Sequence, residues 1–244
     1  MPEEKLTVFD TCLKITSKFE GASFDTVTGN FDGQGMSLGI LQWNINQGTF
    51  RAYILNHLDL LMFDYFPVPI TPLYSMDNSA SMAWVKDVVL DMNGNVKPEW
   101  NDAFKRFLTE SSVINLQKRA CDKYFHRAKE ICGILGFTHE NKRAMAFSFD
   151  IAVQSWSLGI DRPEANHSQA DSITQIYGVD NYMLWNGLEM SEEQQILIIA
   201  AHLRALKCKP EWRNVFFTRK CTIALGLGIV NKEKHDFRKL FTES

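Results

Sequence analysis

Nowhere does the chain hold the roughly 18 consecutive apolar residues that a membrane-spanning helix needs, so nothing in it reads as a bilayer insert. The N-terminus, MPEEKLTVFDTCLK, is acidic and has no apolar core segment, which excludes a signal peptide there. Synthesis and folding in the cytoplasm are expected, with any extracellular substrate reached after export or lysis-dependent release. An excess of basic charge is missing too. With 26 Lys and Arg against 29 Asp and Glu, and a net charge of −3, the chain lacks the positive stripe that a nucleic-acid binder carries.

Cysteine is sparse and unpatterned. The 5 cysteines (Cys12, Cys121, Cys132, Cys208 and Cys221) are odd in number and form no CxxC, which argues against a disulfide framework. Most sit between apolar residues and read as small core hydrophobes. The 6 histidines show neither HExxH nor another ligand spacing, so no metal or other cofactor is expected. Linkers, repeats and low-complexity tracts are absent as well. Residues 1–244 therefore read as one domain, and the 45% hydrophobic content can fill a sizeable core.

What is present is mostly helical periodicity. Leu6, Phe9, Leu13, Thr16 and Phe19 recur at helical steps, predicting an amphipathic first helix over about 4–20 that Gly21 stops. Further helices are predicted at about 48–58, 78–91, 98–109, 111–135, 138–156, 166–177, 191–207 and 210–225. Pro98 suits a first turn, Gly136 an end, and Ser191-Glu-Glu-Gln194 has capping-box spacing. One segment differs. Residues 24–43, rich in Gly, Asn, Asp, Thr and Ser, carry hairpin chemistry, so the only β element is expected in a region of about 22–46. The fold class is mainly α (α+β).

The chemistry concentrates between Phe19 and Asn44. Glu20 ends an apolar-faced helix, where partial desolvation and the negative helix C-terminus both favour a protonated carboxyl. Asp32 follows twelve residues later in the polar turn NFDGQG, where a carboxylate stays hydrated and ionised. Two carboxyls pushed apart in pKa are the pattern for dividing acid and base roles, as glycosidic bond cleavage requires. Gly33 and Gly35 give the turn its freedom. Ser37 is placed to hold an attacking water. Gln34, Gln42, Trp43 and Asn44 offer amides and an aromatic face to sugar hydroxyls and pyranose faces. Asp25 lies in the same loop and is the rival second carboxylate and a substrate contact. Asp32 also has an ordinary reading, as the first residue of a DG turn.

A helix-terminal Glu20 followed by Asp32-Gly-Gln-Gly-Met-Ser37-Leu-Gly39-Ile-Leu-Gln42 resembles the lysozyme superfamily of glycoside hydrolases. Its chitosanase branch carries a comparable Asp-Gly-x-Gly-x-[Ser/Thr]-x-Gly hairpin. The segment also resembles bacterial and phage-associated peptidoglycan hydrolases, with support from Phe149-Asp-Ile-Ala-Val-Gln154 and from Arg219-Lys-Cys-Thr-Ile-Ala-Leu-Gly-Leu-Gly228. The Glu20–Asp32 interval is shorter than in chitosanases, and Ser155-Trp156 stands where that family has Asn-Gly.

The resemblance implies a lysozyme-like molecule of two lobes, with a catalytic cleft between a small β-hairpin lobe and a larger helical one. It further implies an inverting, muramidase-like attack on β-1,4 linkages of peptidoglycan or a related amino-sugar polymer. Glu20 would be the acid, Asp32 the base, and Ser37 their helper. A monomer is expected, and a secretion or immunity protein is the further partner such a hydrolase calls for. Three other readings stay open: a chitosanase, a non-catalytic glycan-binding protein of the same fold, and a cell-wall cysteine peptidase using Cys12. On the distal helices, Asp150 and Gln154 read either as a bracing network or, for Gln154, as a substrate contact. Arg219 and Lys220 read as a solvated helix face.

Overall fold

The computed structural model describes residues 6–31, 33–55, 65–177 and 181–242. In chain order they form α1 (Val8–Glu20), then strands β1 (Val27–Thr28), β2 (Ser37–Leu38) and β3 (Trp43–Asn44). A π-helical turn (Arg51–Leu55) and a 3-10 turn (Thr71–Tyr74) precede α2 (Asn78–Trp84), which runs on into a second π-helical turn (Val85–Val89). Next come α3 (Pro98–Leu108), α4 (Ser111–Ile134), α5 (Lys142–Ser155), α6 (His167–Tyr177), α7 (Tyr182–Trp185), α8 (Glu192–Leu206) and α9 (Pro210–Leu225). The chain closes with β4 (Leu227–Val230), β5 (Glu233–Asp236) and α10 (Arg238–Thr242). The mainly helical, α+β expectation holds. Among the described residues no helix is long and apolar enough to cross a membrane.

Contacts divide the chain into two compact units. One comprises Glu20–Asp122; the other joins Met1–Phe19 to Lys123–Ser244. In the first, the core is aromatic. Trp100, Ala103, Phe104 and Phe107 recur at helical steps along α3 and bury one face against Phe66, Leu38 and Trp43. Pro98 occupies the first turn of α3 as expected. The β region is a three-stranded antiparallel sheet, β1-β2-β3, rather than a single hairpin. Its register pairs Val27 with Leu38 and Leu38 with Trp43 on one face, and Thr28 with Ser37 and Ser37 with Asn44 on the other. Strand alternation thus sends an apolar row into the core and a polar row to the opposite side.

So small a sheet has few ladder bonds of its own, and a buried side chain holds it. Gln117 of α4 accepts the Ile40 N–H at 3.0 Å and donates to the Phe24 carbonyl at 3.0 Å. Gly39 (φ +71) passes so close that an added Cβ would lie 2.2 Å from the Gln117 Oε1. Only glycine fits both the backbone and the gap.

In the second unit, α8 packs against α9, α5 and α6. Apolar residues surround α8, and Ile196 through Ala201 are buried without a break, the mark of a central helix. Its start is the capping box read from Ser191 and Gln194. Asn141 rather than residue 138 begins α5, by accepting the Ala144 N–H at 2.9 Å. A second β element was not expected. Leu227–Val230 and Glu233–Asp236 form a hairpin around Asn231 and Lys232, both at positive φ (52° and 69°). Of the helix expected at 48–58, residues 49–50 are helical and run into the Arg51–Leu55 turn, and 56–58 lie outside the described residues.

Replacing Gln117 with Ala strands the half-buried Ile40 N–H and Phe24 carbonyl. The expected loss is about 1–3 kcal/mol, because both orphaned groups are partly open to water and each costs less than the roughly 1–3 of a sealed one. Urea unfolding should show it as a lower midpoint at constant m. A loss under about 0.5 kcal/mol would mean that the sheet stands without this clamp.

Candidate active site

Glu20 is the last residue of α1, and Gly21 (φ +61) ends the helix behind it. The carboxylate is exposed to solvent, so the desolvation expected from its apolar-faced helix is not found. The reason lies in the helical wheel. Cys12, Ile15 and Thr16 take the buried face, and Glu20 falls on the turn where the chain leaves it.

Asp32 lies outside the described residues. The described residues on either side of it are held by hydrogen bonds. The Asn30 Oδ1 accepts the Gly35 N–H at 2.8 Å, the Asn30 N–H donates to the Gly94 carbonyl at 2.8 Å, and the Asn46 N–H donates to the Gln34 carbonyl at 3.2 Å. Gln34 is half-buried there, its Oε1 at 3.5 Å from the Asn46 amide. Asp25 accepts a short hydrogen bond from the Ser23 hydroxyl, a local loop contact.

Ser37 sits at the centre of the polar row with 8% exposure, flanked by Thr28 and Asn44. Gln42 belongs with that row. Its Oε1 accepts from the Thr28 hydroxyl at 3.1 Å while its Nε2 donates to the Gly39 carbonyl at 3.0 Å. Asn44 is buried, and its Oδ1 accepts the Gln47 N–H at 2.8 Å, which closes the loop after β3. Trp43 is a correction. It is 2% exposed, faces the core with Leu38, and stacks on Tyr53 at 5.1 Å, so it offers no surface to a sugar. The period-2 pleat decides this: Trp43 cannot share a face with Asn44.

The sequence reading passed over Phe31. It follows Asn30 with 77% of its surface exposed, one position before Asp32 in the sequence. A large apolar residue in a Gly-Asn-x-Asp-Gly context was the available signal, because a turn has no core of its own to fill.

In the other unit, Arg219 and Lys220 overturn the solvated-face reading. Both are buried, and both bind the fully buried Asp150. The guanidinium of Arg219 spans both carboxylate oxygens, at 2.5 Å from Nη2 and 2.9 Å from Nε. Lys220 also donates to the Gln154 Oε1 at 2.5 Å, so Gln154 is tied into this network at its exposed end. Burial alone would raise the Asp150 pKa. Attraction to Lys220 and Arg219 and their hydrogen bonds outweigh it and hold the carboxyl at about 2. Two residues beyond Gln154, Trp156 caps α5 at φ 60. For a residue with a side chain, that left-handed conformation costs about 1–2 kcal/mol.

Cys12 is no nucleophile. It is wholly buried in mid-helix, and burial, with Cys132 beside it, pushes the thiol well above its ordinary range. Among the described residues no cluster of His, Cys, Asp and Glu is placed to hold a metal ion. Comparison with family models, with curated proteins and with solved structures finds no match to this chain.

Asp150→Ala leaves two cations buried without their carboxylate and should cost about 3–5 kcal/mol in thermal or urea unfolding. In the native protein the folded pKa lies below the unfolded value of about 3.9. The carboxylate's contribution is therefore complete above about pH 5, declines below pH 4, and is lost as pH falls through about 2. A variant as stable as the parent, or a contribution that grows on acidification, would contradict the ion cluster.

Proposed function

We propose that the protein is a lysozyme-like glycoside hydrolase that cleaves β-1,4 linkages in the glycan strands of peptidoglycan. One observation carries the reading. A helix ends on an exposed Glu20, and the chain then enters a sheet whose polar row is Thr28, Ser37 and Asn44, joined by Gln42, with Ser37 and Asn44 buried and Thr28 half-buried, while its apolar row packs on the core. The β1–β2 connection is anchored where Asn30 accepts the Gly35 N–H, and Phe31, one position before Asp32 in the sequence, is exposed. Hydroxyls and amides in a row suit sugar hydroxyls, and an exposed phenyl suits the C–H face of a pyranose.

In the proposed mechanism Glu20 protonates the glycosidic oxygen as positive charge develops on the anomeric carbon. Asp32 takes a proton from a water on the opposite side of the ring, and Ser37 orients that water. The bond between anomeric carbon and leaving oxygen breaks as the bond to water forms, so configuration inverts. Gln42 and Asn44 brace the sheet from the same polar row, and Gln34 lines the turn. Asp25 is left outside the chemistry because Ser23 already engages it.

Glu20→Gln is isosteric but has no proton to give. It should lower the release of soluble fragments from purified murein by about 100-fold or more, with thermal stability unchanged. Asp32→Asn should match it, and Asp25→Asn should stay within a few-fold of the parent. Fragment mass spectrometry reads all three. Near-parental activity of Glu20→Gln would remove Glu20 from the mechanism, and an exchange of the two Asp phenotypes would move the base to Asp25. Chitosan digested in parallel decides between the two polymers.

A further inference from the structure

Trp156 occupies a position where helices ordinarily end on glycine. It is the left-handed cap of α5, at φ 60, and its N–H donates to the Ala152 carbonyl. A glycine would adopt this backbone without strain, yet the chain places its largest side chain there and leaves it 51% exposed. Strain of this kind persists only where neighbouring groups over-determine it. Here they do. Arg127 donates from Nε to the Trp156 carbonyl at 2.7 Å and is itself paired with Glu130. Tyr124 meets the indole edge-to-face, with centroids 6.0 Å apart and planes at 75°. The Lys123 ammonium lies 4.9 Å over the Tyr124 ring, so Tyr124 serves as a buttress and the indole as the open face. On the helix side, Lys220 fixes the Gln154 Oε1, which leaves the exposed amide Nε2 as a donor in a set orientation.

We propose that Trp156 is a stacking platform for a pyranose ring of an amino-sugar polymer, with Gln154 as a hydrogen-bonding neighbour. The chemistry of the surroundings selects this ligand. A flat apolar face with Arg127 bound to its backbone carbonyl, Glu130 paired to that arginine and the exposed Gln154 two positions before it matches a sugar, which is C–H on one face and polar around its edge. A protein partner would be met by a broader apolar patch around the indole. The inference rests on the proposed glycan substrate, but not on cleavage or on Glu20.

The test is calorimetric titration with a soluble N-acetylglucosamine hexamer, in a Glu20→Gln background that does not consume the titrant. Trp156→Gly should weaken binding by about tenfold or more, as expected for the loss of one aromatic contact and its buried area. Relief of the left-handed strain should leave Tm unchanged or raise it by a few degrees. Trp156→Phe should keep most of the affinity. Binding within twofold of the parent in Trp156→Gly overturns the platform, as does failure of the parent to bind the hexamer. A Tm fall of more than about 5 °C in Trp156→Gly also overturns it, by making the indole a structural cap. Murein cleavage with Trp156-independent binding sinks the platform alone. Trp156-dependent binding without any cleavage leaves the platform standing and sinks the hydrolase.

Discussion

Asp150 and Gln117 are both sealed from water, and the arrangement around each follows from the need to give a buried polar atom a partner. In the unit built on α5, α8 and α9, the carboxylate of Asp150 draws in Arg219 and Lys220, which fixes α5 against α9. Lys220 then passes the constraint to Gln154 and so to the strained end of α5. In the unit spanning Glu20–Asp122, the amide of Gln117 does the equivalent work for a sheet of two-residue strands. Neither point is catalytic. Each holds in place an element to which the proposed chemistry is assigned.

The division of labour within the sheet is the most economical feature of the candidate site. Strand pleating alone separates Val27, Leu38 and Trp43 from Thr28, Ser37 and Asn44. The same six residues therefore anchor the sheet and present its polar face. A one-residue slip in register would turn the serine row toward the apolar core and the tryptophan away from it. The Gly39–Gln117 approach prevents it, because only one register places a glycine at that gap.

Much of the fold was legible in the sequence, because its signals are local. Helical spacing in α3, Pro98 in its first turn, the Ser191–Gln194 box and the glycine stop after Glu20 all act within a few residues of themselves. What was missed depends on distant partners or on unmarked turns. Arg219 and Lys220 look like surface cations until Asp150, about seventy positions away, is brought against them. The β4–β5 hairpin turns on Asn231-Lys232, and without the glycine that usually flags a primed turn the segment was given no element. Trp43 is amphipathic, and only the register tells which side it takes. The exposure of Glu20 was misjudged for a related reason: an apolar helix face says where the core is, but not where the last turn leaves it.

The central claim is that this chain hydrolyses glycosidic bonds with water as the nucleophile. Its most direct test is digestion of purified murein in oxygen-18 water, with mass spectrometry of the soluble fragments and proton NMR of the first anomer formed. The account predicts fragments with intact stem peptides, each new reducing end carrying one heavy oxygen and appearing first as the α-anomer. Unlabelled glycan ends, label confined to cleaved peptide bonds, or no soluble fragments at all would contradict it.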